Sequence, residues 1–110
     1  MNHKLTSRVI YKQVISIAGA GKGNPIRVNM NFMARCLSVG VQNGHLVLWY
    51  ETPEYFEKEV MYDRAIWRIG TGWQMPGGSL RFLNTIQIGE LCWHFYEGAL
   101  LEPVAKLVKL

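Results

Sequence analysis

The stretch from Arg35 to Tyr50, RCLSVGVQNGHLVLWY, constrains this chain more than any other. Two alternating apolar runs flank Asn43-Gly44. An Asn-Gly pair in that setting predicts a two-residue type I′ hairpin, because both central residues need φ > 0. Such a loop fixes the register. Gln42 faces His45, Val41 faces Leu46, Val39 faces Leu48 and Leu37 faces Tyr50. Strand side chains alternate, so these apolar pairs share one face. Cys36, Ser38 and Gly40 then lie with Val47, Trp49 and Glu51 on the other face. The small residues there leave a shallow space for the Trp49 ring.

The rest of the chain reads as further β-structure. Arg8 to Ile17 is rich in β-formers, and Ile26-Arg27-Val28-Asn29-Met30 alternates with Ile26, Val28 and Met30 inward. Asn31 to Ala34 turns into the central hairpin. After Tyr50, Thr52-Pro53 followed by acids predicts one helical turn or a loop. Val60 to Gly70 is a strand with Ala65, Trp67 and Ile69 on one face and Arg64, Ile66 and Arg68 on the other. Leu80–Ile88 and Leu91–Tyr96 form a second hairpin about Gly89-Glu90, a type II′ loop. That register sets Ile86 opposite Trp93, Thr85 opposite His94 and Asn84 opposite Phe95. About six strands with short connections predict an all-β fold, a single-domain antiparallel β-sandwich or open barrel. The sandwich is expected over 1–97. The tail, 98–110, carries Leu100, Leu101, Val104, Leu107 and Val108 at helical spacing and predicts a short amphipathic C-terminal helix. Four Trp and this apolar tail exceed what a core of 110 residues hides, so a homo-oligomer is expected.

Charge and chemistry narrow the function classes. The net charge is +4, yet no two Lys or Arg residues are adjacent. That suits a small anion at least as well as nucleic acid, which draws on denser positive charge. Met1 to Arg8 lacks an apolar signal segment, and no apolar run is long enough to span a bilayer. A cytoplasmic protein without membrane attachment is the expectation. Cys36 and Cys92 are then reduced, buried thiols, the alternative being a disulfide between sheets. His3, His45 and His94 are isolated, and the cysteines lack ligand spacing, so no metal and no other cofactor is expected. Gly19-Ala20-Gly21-Lys22-Gly23 fails as a phosphate loop, because Gly23 replaces the required hydroxyl and no helix follows. Asp63 is the only aspartate and the glutamates at 51 to 59 are solvated. Cys92 and His94 share a strand face but stand poorly for in-line proton transfer. An enzyme is not expected.

The segment Gly70-Thr71-Gly72-Trp73 is the candidate site. Glycines let backbone N–H groups converge on an anion, Thr71 adds a hydroxyl, and Trp73 offers a face for a base. Arg64, Arg68 and Arg81 flank it, and guanidinium groups suit phosphate. Trp49 is a second stacking candidate. The plainer reading is a Gly/Pro loop with a buried Trp and solvated arginines.

VQNG at 41–44, LW at 48–49, IGTG at 69–72, LRFLNTIQ at 80–87 and WHFYE at 93–97 together resemble a family of small uncharacterised β-rich proteins of bacteriophages and prophages. The likeness covers Tyr11 to Glu97. That family often has Gly-Thr-Gly-His where this chain has Trp73, and Pro-Lys-Gly-Ala where it has Asn31 to Ala34. The resemblance implies a phage context and no specific activity. By analogy, small phage proteins include β-rich oligomers that sequester nucleotide immune signals without cleaving them. Three expectations follow: a non-enzymatic nucleotide sponge acting against host defence, an inhibitor or adaptor that binds a host protein, and, more weakly, nucleic-acid binding.

Overall fold

A computed structural model describes residues 7–17, 20–21, 23–54 and 61–102. Among these residues seven strands follow in order: β1 (Arg8–Val14), β2 (Ile26–Asn31), β3 (Arg35–Gln42), β4 (His45–Pro53), β5 (Met61–Gly70), β6 (Arg81–Ile88) and β7 (Leu91–Leu101). They form two antiparallel sheets, one ordered β1-β4-β3 and the other β2-β5-β7-β6. The fold is all-β, and the two sheets do not close into a barrel. Their inner faces enclose a core of Val28, Met30, Cys36, Val39, Leu48, Ile66 and Phe95, with Tyr50, Leu46, Ile86 and Trp93 packed against it. Among the described residues no helix is long and apolar enough to cross a membrane.

Both hairpins take the expected loops. Asn43 and Gly44 have φ of 52° and 79°, as a type I′ turn needs. Gly89 alone carries positive φ in the second turn, as a type II′ loop requires. Val39 faces Leu48 and Ile86 faces Trp93, as read. Leu37 does not face Tyr50. It is the extra residue of a bulge, so Cys36 takes that place and turns into the core. The amphipathic helix over 98–110 is also corrected. Gly98 to Leu101 continue β7, with Leu100 opposite Arg64 and Leu101 opposite Asp63. A bulge opposite Ala65 breaks the strand's alternation there, which gives the apolar residues a helix-like spacing. Residues 103–110 lie outside the described residues, as does most of the proposed turn after Pro53.

Two bulges join the sheets. Leu83 is the extra residue of β6, so Arg81 and Asn84, three apart, point to the same inner face. Leu37 does the same for the backbone of Cys36 and Val39 at the edge of β3. The two three-residue steps match. The Asn84 side chain accepts from Val39 N–H at 2.8 Å and donates to Val39 C=O at 2.7 Å, as a neighbouring strand would. Arg81 donates to Cys36 C=O at 2.6 Å, and Glu97 accepts from Cys36 N–H at 3.1 Å. At Cys36 and Val39 the outer edge of β3 is thus satisfied by side chains of the opposite sheet.

Candidate functional site

The three arginines expected to hold a ligand divide between two tasks. Arg81 Nη2 lies 2.5 Å from Glu97 Oε1, and its Nε donates to the same oxygen at 2.9 Å. Arg64 Nε is 3.4 Å from Glu97 Oε2, and its other nitrogens donate to Gly98 C=O and Ala34 C=O. Glu97 is buried on β7. Burial alone would raise its pKa, but the Cys36 N–H, the Arg81 guanidinium and the Arg64 charge together hold the carboxyl below its ordinary value. Arg64 and Arg81 therefore neutralise an internal carboxylate. Cys36, beside it, is pushed far above an ordinary thiol by burial and by the Glu97 charge. No disulfide forms: Cys36 and Cys92 are both free.

Arg68 is different. It points to the same inner face as Phe95, its partner on β7, one inward position along the strands from the Ile66–Glu97 pair. Its guanidinium carbon lies 4.3 Å from the centroid of the Trp93 ring and 5.9 Å from that of Trp73. Both distances suit cation–π attraction. Trp73 meets Trp93 edge-on, with centroids 5.5 Å apart. Among the described residues no carboxylate forms a salt bridge with Arg68. Its Nε is buried without a hydrogen-bond partner.

The loop builds this corner by a tight turn. Trp73 N–H donates to Gly70 C=O at 3.0 Å, and Gly72 has φ of 90°, which a type II turn demands at that position. The indole folds back over Gly70. A Cβ on Gly70 would stand 2.8 Å from Trp73 Cε2 and Nε1, so only glycine admits the ring there. Trp73 N–H is committed to the turn and is not offered to an anion. Thr71 is tethered too: its Oγ1 lies 2.8 Å from His94 Nε2, while Thr85 Oγ1 lies 2.8 Å from His94 Nδ1. A hydroxyl and an imidazole at that distance resemble a nucleophile and its base. The third group is a neutral hydroxyl, which cannot stabilise an imidazolium as a carboxylate does.

Two clefts open beside Trp73. One, of about 440 Å³, is lined by Gly70, Thr71, Trp73, Glu90, Leu91, Cys92 and Trp93. The other, of about 330 Å³, is lined by Gly23, Trp67, Ile69, Trp73, Gln74, Met75 and Pro76. Both fall within the range of small-ligand sites. Arg68 does not line either cleft. It backs the two indoles that do.

The structure thus brings together Arg68, Gly70, Thr71, Gly72 and Trp73. Arg64 and Arg81 belong to the Glu97 cluster, and Trp49 sits on the other sheet. Trp49 lies over Gly40, where a Cβ would meet its Cζ3 at 2.8 Å, the small-residue space read from the hairpin. Sequence reasoning missed Trp93, which faces Gly70 across β5 and β7. The signal was present: Trp93 alternates with Phe95 and Glu97, so it shares their inner face. Among the described residues no cluster of metal-ligating side chains occurs.

Residues 6–105 match a family described as a domain of unknown function, DUF7352. No curated protein and no solved structure matches the chain.

Proposed function

The chain belongs to the DUF7352 family, whose description assigns no activity, and we propose from its own residues that it is a non-enzymatic binding protein for a nucleotide-type anion. The carrying observation is Arg68, a cation stacked on Trp93 with no carboxylate partner among the described residues. In this reading a base enters the larger cleft against Trp73 or Trp93, Glu90 accepts from sugar hydroxyls, and Arg68, behind the two indoles, supplies the positive field that draws the anion in. The tethered Thr71–His94–Thr85 row keeps the loop in place. The phage-type sequence pattern extends the proposal to a sponge that withdraws a nucleotide immune signal from a bacterial host. Arg64 and Arg81 have no part in it.

A thermal-shift panel of mononucleotides, cyclic nucleotides, ADP-ribose and inorganic phosphate tests the reading. A ligand that binds the native state raises its melting temperature by mass action. Stabilisation by a nucleotide beyond that given by phosphate supports the proposal. No shift with any nucleotide at millimolar concentration ends it.

A second reading rests on Phe82, half exposed and packed edge-on against Tyr96 on the outer face of the four-stranded sheet. An exposed aromatic pair of this kind fits a protein partner. Loss of a specific host-protein complex on Phe82→Ser would favour it.

A further inference from the structure

We infer that β1 is a pairing edge for a second copy of this chain, giving a two-fold dimer with one continuous six-stranded sheet. The two ends of the three-stranded sheet are treated differently. At β3, Asn84, Arg81 and Glu97 occupy the backbone groups of Val39 and Cys36, which blocks that edge at those two residues. At β1, the outermost strand of that sheet among the described residues, the pairing with β4 runs from Arg8 to Val14 with no bulge and no proline. Such an unbroken edge is a template for another strand unless something guards it.

The backbone alternation says which residues would pair. Ile15 N–H donates inward to Leu46 C=O at 3.0 Å. Odd-numbered residues of β1 therefore bond β4, and Ile10, Lys12 and Val14 present their N–H and C=O groups outward. A two-fold axis through Lys12 sets Ile10 opposite Val14 of the second copy, twice. These are the two most exposed large apolar side chains of the strand, at 63 % and 61 %. The surface is self-complementary, as a two-fold interface must be. Lys12 meets its own copy at the axis. Its Nζ is drawn aside, donating to Gln42 Oε1 at 2.7 Å across the sheet. Like charges directly opposed still weaken a strand pair. The dimer is therefore reversible and small in area, in the class of weak interfaces. This inference stands apart from the nucleotide reading, since β1 belongs to the other sheet.

Sedimentation velocity on the full chain, over roughly 1 to 200 µM, spans the affinities expected of so small an interface. The expected result is a monomer–dimer equilibrium. Val14→Lys leaves a monomer throughout that range with its melting temperature kept, because the side chain is exposed in the monomer. Lys12→Met tightens the dimer by roughly fivefold, from removal of the opposed charges. A wild-type monomer across the range would overturn the inference. So would a dimer that Val14→Lys leaves intact.

Discussion

Replacing Glu97 with Gln tests the internal ion cluster on which the sheet packing rests. Gln keeps the shape and an acceptor for Cys36 N–H but removes the charge facing Arg64 and Arg81. Removing one partner of a buried ion pair costs about 3–5 kcal/mol, chiefly because the remaining charge is stranded. The Arg64 side chain is 15 % exposed and cannot rehydrate well, whereas Arg81, at 41 %, can. The lower end applies, about 3 kcal/mol. In a domain of this size that lowers Tm by roughly 12 °C. The pH dependence has a definite sign. The Glu97 pKa is lowered in the folded state, so its contribution is full above the ordinary carboxylate range and fades as pH falls through the folded value. Urea denaturation at a series of pH values reads both effects. The gap between wild type and Glu97→Gln should hold steady above about pH 5 and narrow in more acid solution. A variant within about 0.5 kcal/mol of wild type, the usual range for surface changes, would refute the cluster's role. A gap that stays constant down to acid unfolding would refute the assigned protonation.

Asn84→Ala leaves Val39 N–H and C=O unpaired at the β3 edge and should cost about 2 kcal/mol in urea denaturation. Gly70→Ala drives a methyl group into the Trp73 ring, so tryptophan emission should shift and nucleotide stabilisation should fall. Thiol titration of the native protein should modify Cys92 well before Cys36, since Cys36 is sealed and its thiolate is disfavoured by burial and by Glu97. Equal rates for the two thiols would contradict the packing.

The hairpin registers were legible because Asn43-Gly44 and Gly89 dictate their turns, and turns dictate pairing near them. Legibility stopped at the first bulge. Leu37 and Leu83 look like ordinary strand residues, and nothing local marks them as extra. Their effect is long-range: they place Cys36 and Val39 on one edge and Arg81 and Asn84 on one face. That is why Arg81 looks like a flanking cation in sequence and proves to be half of an internal clamp. Arg64 fell to the same cause, since its carboxylate is 33 residues away on β7, beside the bulge at Gly98. Arg68, Gly70 and Trp73 were readable because the turn that joins them is local. Trp93 joins them only through the β5–β7 pairing, a contact between distant segments.

Calorimetric titration of the strongest nucleotide from the thermal-shift panel into wild type and Arg68→Met is the most direct test. The account predicts measurable binding to wild type and at least a tenfold loss in the variant, about 1.4 kcal/mol, with the fold intact. Equal affinity in the two proteins would contradict it, and would remove Arg68 from the site.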